Sequence, residues 1–151
     1  MRSHLIAWLG ILMLGTSPAF AADSFAFRDI AGRSHALSEY KGKWVLVNFW
    51  ATWCPPCIEE IPDLILFDEK RKDVVVIGIA VEYQNEKEIR NFVDDNLMTY
   101  PIVLGDDKVL RQFGSADILP TTFIYSPQGK LIKMHRGLMT RKQMERLTSG
   151  K

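Results

Sequence analysis

Residues 44–57 read WVLVNFWATWCPPC. Trp44 to Trp50 is a continuous run of apolar, β-branched and aromatic residues broken by one amide, Asn48. Such a run suits a strand buried on both faces rather than one with a wet side. It ends at Ala51-Thr52-Trp53, and Cys54 and Cys57 follow. Helical spacing begins at the cysteines, with Ile58, Ile61, Leu64 and Ile65 as the apolar positions. Pro55 and Pro56 suit a first turn, where backbone N–H groups have no intrahelical partner. Pro62 falls inside the pattern and is expected to kink the helix.

Two thiols at this spacing on a helix start can close a small disulfide ring and exchange it with the thiols of another protein. Attack needs a thiolate, and a helix N-terminus favours one through its unpaired N–H groups and positive dipole end. Cys54, at the cap, is expected to be the exposed nucleophile. Cys57, one turn in, is expected to be more buried and to resolve the mixed disulfide. The proline pair removes two N–H donors and limits backbone freedom, so it should tune the redox balance. The same spacing opens many zinc sites, but zinc needs four ligands. His35 and His135 are the other candidates downstream of the leader described below, and they stand 100 residues apart. Copper held by both cysteines with a Met or His is a further metal alternative.

On either side of this stretch the chain alternates strand and helix patterns. Ser24 to Leu37 reads as a hairpin turning at Ala31-Gly32-Arg33, followed by a helical turn or loop over 38–42. Val74 to Val81 (VVVIGIAV) is a second buried strand, and Asn85 to Asn96 a surface helix. Pro101 to Leu104 is a short strand, and Asp107 to Phe113 a short helix. Thr121 to Tyr125 and Leu131 to His135 flank a Pro127-Gln128-Gly129 turn and should pair antiparallel. Thr140 to Leu147 closes the chain as a helix. Parallel strands joined by crossover helices predict an α/β sheet covered on both sides.

The first residues differ from the rest. Arg2 precedes an apolar run of 11 residues, Leu5 to Gly15, and then a small-x-small site, Ala19-Phe20-Ala21. This is the order of a cleavable signal peptide, so residues 1–21 are expected to be removed and 22–151 to form one domain. The alternative is an uncleaved membrane anchor, since no charge falls between Leu5 and Ala22. Pro18 and the Thr16-Ser17 pair shorten the truly apolar part below the roughly 20 residues a span needs. Export would place both cysteines in an oxidising compartment.

Composition narrows the function classes. The 151 residues are 47% hydrophobic and 25% charged, as for an ordinary globular domain. Nineteen Lys and Arg stand against 18 Asp and Glu, so no basic excess points to nucleic acid. Two cysteines are too few for a disulfide-rich scaffold or a four-thiolate iron–sulfur cluster.

The segment NFWATWCPPC, with EEIP on the helix that follows, resembles the thioredoxin-fold family, and within it the TlpA/ResA branch of exported thiol–disulfide oxidoreductases. Leu119-Pro120-Thr121-Thr122-Phe123 matches that family's cis-proline element, and the resemblance runs from about Ser24 to Lys151. It implies a thioredoxin-like α/β fold: a central mixed sheet flanked by helices, an N-terminal β-hairpin, and a helix–strand insertion over Glu82 to Leu104. It implies that Pro120 is cis and faces the disulfide. Asn48 stands where plain thioredoxins carry a buried Asp, as is common in this branch. Glu60 matches the branch's acidic residue on the active-site helix. Three residues after Cys57 on one helical face, it can accept the Cys57 proton; a first-turn Glu favoured by the helix dipole is the alternative. Ile58 departs from the branch, which often has Lys or Arg there, so the thiolate loses a cation.

These residues imply an exported enzyme that reduces disulfides in periplasmic proteins through Cys54 and Cys57, and the resemblance implies a role in cytochrome c maturation or in the rescue of particular periplasmic proteins. Its partners would be protein disulfide substrates and a membrane thiol electron donor, with no nucleic acid, no cofactor and no stable membrane insertion after cleavage. Trp53, Pro55, Pro56 and Leu119 are the expected docking residues, with Trp50 packed around the site. His35 is expected at the surface, His135 in a strand, and the basic residues at 136, 141, 142 and 146 in solvent. A disulfide oxidase of the same fold and a metal chaperone are the competing functions.

Overall fold

The computed structural model describes residues 24–114 and 116–150; the leader expected over residues 1–21 lies outside them. The apolar run forms β3, Trp44–Trp50, buried from Val45 onward. Its position is central because both of its edges are paired. It runs parallel to β4 (Val74–Ala80) and antiparallel to β6 (Thr121–Tyr125). β5 (Ile102–Leu104) and β7 (Leu131–Arg136) complete a mixed sheet in the order β5-β4-β3-β6-β7. Among the described residues no helix is long and apolar enough to cross a membrane.

Parallel neighbours require crossovers. α1 (Pro55–Lys70) links β3 to β4, and α2 (Glu86–Asp95) links β4 to β5. Right-handed crossovers that step the same way put both helices on one face of the sheet. α4 (Arg141–Leu147) joins them, its first N–H donating to Asp63 of α1 at 3.0 Å. Alternation along β3 then sorts its side chains. Leu46, Asn48 and Trp50 point toward the helices, where Asn48 meets Glu60 and Trp50 stacks on Phe92 of α2 at 5.2 Å. Trp50 is therefore core, 1% exposed, and not part of the site's rim. Gly78 of β4 makes this packing possible. A Cβ there would stand 2.9 Å from both Trp50 Nε1 and Ile102 Cδ1.

The opposite face is aromatic. Phe49 meets Phe113 at 5.2 Å and Phe123 at 5.5 Å, and Phe25 and Phe27, stacked on each other at 4.8 Å, lie against Phe113 at 5.8 and 6.1 Å. Phe25 and Phe27 come from a hairpin of β1 (Ala26–Arg28) and β2 (Ser34–Ala36), turned by Gly32 at φ +83°. The helix expected through Phe113 is a single α-turn, α3 (Asp107–Leu110), capped by Asp106. Beyond it the hydrogen bonds tighten to three-residue spacing, and the chain turns Phe113 into the aromatic cluster.

α1 includes Pro62, which sits on the exposed side where the carbonyl it leaves unpaired can reach water. One expectation for this helix needs correction. Its buried stripe is Cys57, Glu60, Ile61, Leu64 and Phe67, so Ile58, one residue out of phase, is 39% exposed.

His35 is also not a surface residue; it is 7% exposed. Its Nε2–H donates to Asp29 at 2.9 Å, and its Nδ1 accepts the Tyr40 hydroxyl. Asp29 further accepts the Arg33 backbone N–H at 2.8 Å and its guanidinium at 2.9 Å. Burial opposes ionisation of Asp29, but His35 and Arg33 outweigh it and hold the carboxyl below its usual value. This network closes the hairpin that lays Phe25 and Phe27 on the sheet.

Asp29→Asn should lower unfolding stability by about 1–3 kcal/mol at neutral pH, the range for an unmatched buried partner. A carboxyl held low in the fold lends stability above the ordinary carboxylate range and loses it as pH falls through its folded value. Urea melts at neutral and acid pH should show the two proteins converging in acid. Parallel curves would mean that Asp29 contributes no charge-dependent stability.

Candidate active site

The site is set where β3 ends and α1 begins. Cys54 is the N-cap of α1, with Pro55 and Pro56 as its first two helical residues. An N-cap side chain ordinarily accepts from the second or third helical N–H. Pro56 removes the second, and Ile58 N–H is already bonded to the Cys54 carbonyl at 3.1 Å. Cys57 N–H is therefore the donor left for a thiolate at Cys54.

Cys54 and Cys57 are joined as a disulfide with Cα atoms 5.3 Å apart. Cys54 is 3% exposed and Cys57 1%. The order of burial is as expected, but Cys54 is not open to solvent: Trp53, 58% exposed, stands beside it. Trp53, Pro55, Pro56 and Leu119 line one groove with Cys54, so the four expected docking residues come together. The Leu119–Pro120 bond is cis, and Pro120 is buried at the start of β6 with its carbonyl accepting from Gly137 N–H at 2.8 Å.

Glu60 lies one turn beyond Cys57 on the buried stripe and is 2% exposed. It is in the second turn of α1, which excludes the dipole alternative at the first. Asn48 Nδ2 donates to its Oε1 and, at 3.0 Å, to Thr122 of β6. Met139 N–H, just ahead of α4, donates to its Oε2 at 2.9 Å. Burial pushes the Glu60 carboxyl up to about 7, against the pull of the Met139 and Asn48 bonds.

Sequence reading missed several neighbours. Glu82 and Asp117 also line the groove, so its rim carries two carboxylates. Glu82 has a left-handed φ of +52°. Nothing in the pattern marks either residue, because loops after β4 and before β6 bring them in. Thr122 and Met139 reach Glu60 through sheet register and helix packing, which spacing along the chain does not reveal. His35 and His135 are engaged elsewhere, His135 Nε2 with the Leu138 carbonyl at 3.3 Å. Among the described residues no three His, Cys, Asp or Glu side chains gather where they could hold a metal ion.

Comparison with known proteins gives a consistent set of likenesses. The family described as AhpC/TSA matches residues 18–134. The thioredoxin-like protein YneN of Bacillus subtilis (strain 168) is 34% identical over 87% of this chain and 79% of its own. The thiol-disulfide oxidoreductase ResA of Geobacillus thermodenitrificans (strain NG80-2) is 33% identical over 82% of this chain and 72% of its own. Among solved structures, a thiol:disulfide interchange protein of the thioredoxin family from Chlorobium tepidum TLS superposes with a TM-score of 0.76. It is 28% identical and covers 83% of this chain and 91% of that one.

The raised Glu60 carboxyl has a consequence for stability. Above the ordinary Glu range the folded protein holds a proton that the unfolded chain has released. Stability should therefore fall as pH rises toward about 7 and then level off. The total is on the order of 3 kcal/mol. Glu60→Gln should remove this component, so the difference between the two denaturation series should grow across that window. A constant difference would mean that Glu60 titrates normally.

Proposed function

The chain belongs to the AhpC/TSA family and is a thioredoxin-fold thiol–disulfide oxidoreductase; from that premise we propose that it is an exported reductase of protein disulfides. The observation that carries this reading is the Cys54–Cys57 disulfide at the start of α1, opening on a groove walled by Trp53 and Leu119. The reduced Cys54 thiolate attacks one sulfur of a substrate disulfide, and the other substrate sulfur leaves as a thiolate. Cys57 gives its proton to the Glu60 carboxylate and attacks Cys54 sulfur. The second substrate thiolate is released, and the Cys54–Cys57 disulfide forms. A dithiol donor at the membrane returns two electrons to the pair. Trp53, Pro55, Pro56 and Leu119 receive the substrate segment, and Pro120 shapes its bed.

Residues 1–21 act as a cleaved leader that delivers residues 22–151 to the periplasm. Cytochrome c maturation is the process we assign, in line with the branch that NFWATWCPPC resembles. The reducing direction follows from electrostatics. Ile58 offers no cation, Glu59 and Glu60 add negative charge, and the prolines remove donors. All of these leave the Cys54 thiolate less stabilised than in a strong oxidant.

Cys57→Ser should trap mixed disulfides with partner proteins, and Cys54→Ser should not, because only the first attack survives in the former. Non-reducing gels decide it, and adducts confined to Cys54→Ser would reverse the roles. Equilibration with glutathione should give a potential nearer the thioredoxin value of about −270 mV than the DsbA value of about −120 mV. A potential at or above about −180 mV would favour an oxidase.

A further inference from the structure

Glu88 has no part in the redox steps above, yet its carboxylate touches both loops that flank them. Its Oε1 accepts the Thr52 hydroxyl at 2.7 Å. Its Oε2 accepts the Gln84 backbone N–H at 2.8 Å. Thr52 belongs to the loop between β3 and α1, beside the exposed Trp53. Gln84 belongs to the loop between β4 and α2, two residues after the left-handed Glu82. Trp53 and Glu82 both line the groove that contains Cys54. One carboxylate thus fastens two walls of that groove.

Glu88 is itself held in place. Its N–H donates to the Asn85 side chain at 3.0 Å in the first turn of α2. The Thr52 and Gln84 bonds keep its carboxyl below the usual carboxylate value, so the tether is charged at neutral pH. Hydrogen bonds to an ionised acceptor are shorter and stronger than neutral ones. Glu82 adds a reason for a tether, since a left-handed φ is disfavoured for a residue with a side chain.

We propose that Glu88 is a positioning residue that sets the shape of the substrate groove, and that extended protein segments are the substrates that depend on it. A protein segment entering the groove meets Trp53 and Glu82 as well as sulfur, so its affinity depends on where the two loops are held. The inference rests on the reading of this groove as the docking face. It also gives the α2 insertion a specific task, since α2 carries the carboxylate that reaches the redox loop.

A role limited to capping α2 is the alternative, and Thr52→Val separates the two. It deletes the hydroxyl from the redox-loop side and leaves the Glu88 contacts with Gln84 and Asn85 in place. Glu88→Ala is the second variant, because it removes both oxygens that accept from Thr52 and Gln84. The assay is steady-state reduction of insulin by the full mature protein with dithiothreitol as reductant. Both variants should raise KM about tenfold, the ratio for about 1.4 kcal/mol of binding, with kcat held within about twofold. Thr52→Ser, which keeps the hydroxyl, should restore KM. An unchanged KM in Thr52→Val, or a loss of thermal stability with no change in KM, overturns the proposal. Trp53→Ala tests the premise. If it raises KM while Thr52→Val does not, only the tether fails; if it too leaves KM unchanged, the docking face fails with it.

Discussion

The buried carboxylate of Glu60 is the point through which the elements around the disulfide are joined. It sits on α1, accepts from Asn48 of β3 and from the backbone ahead of α4, and through Asn48 reaches Thr122 of β6. Removing an acid from water is costly, and its hydrogen bonds only partly offset that. A Leu or Met at position 60 would continue the stripe of Cys57, Ile61 and Leu64 but leave the Met139 N–H and the Asn48 amide without this acceptor. A carboxyl that burial raises to about 7, one turn from Cys57, fits the proton transfer proposed above.

The two faces of the sheet divide the work. The face carrying Phe25, Phe27, Phe49, Phe113 and Phe123 is apolar and aromatic and depends on the hairpin to cover it. The other face admits polar groups, and each is held by a different element: Asn48 from β3, Thr122 from β6, Glu60 from α1. The redox pair lies at the C-terminal end of β3, where the loops after β3 and β4 emerge side by side. Val81 N–H donates to the Trp50 carbonyl at 2.9 Å there, and the Glu88 bonds continue the same seam outward. The loop that carries the chemistry is thus supported by the sheet below and by α2 at its side.

Much of this was legible in the residues themselves. WVLVNFW reads as a strand buried on both faces, and its ends match the structure. Cys54 with Pro55 and Pro56 marked the helix start, and the order of strands and helices along the chain followed from where helical spacing and tight turns fell. What escaped depends on phase and on contacts distant in sequence. Ile58 looked like core because it is apolar, but Glu60 occupies the inward position and rotates Ile58 outward. His35 looked exposed because histidine often is, yet Asp29 and Tyr40 supply both of its ring partners within a few residues. Glu88 carried a local signal, an Asn85-x-x-Glu cap, which says where α2 starts and nothing about Thr52. The Thr52 contact exists only because β3 and β4 are parallel neighbours whose loops leave the sheet together.

The chemistry of Cys54 follows from what surrounds it more than from the cysteine spacing. A helix N-terminus generally stabilises an anion through several free N–H groups and the dipole. Here two of those positions are prolines, and the Cys54 N–H is engaged by the Ala51 carbonyl at 3.2 Å. The Cys57 N–H remains, in a groove whose rim bears the carboxylates of Glu82 and Asp117 rather than a lysine or arginine. Like charge on the rim and missing donors at the cap both disfavour the thiolate, while the dipole alone favours it. A thiolate that is weakly held is a better nucleophile per molecule and a poorer leaving group. Once the disulfide has formed it is correspondingly harder to reduce, which is the direction that the proposed reductase requires. The helix start that makes thiol exchange possible is thus trimmed, by its own prolines and by the acids beside it, toward the reductase reading.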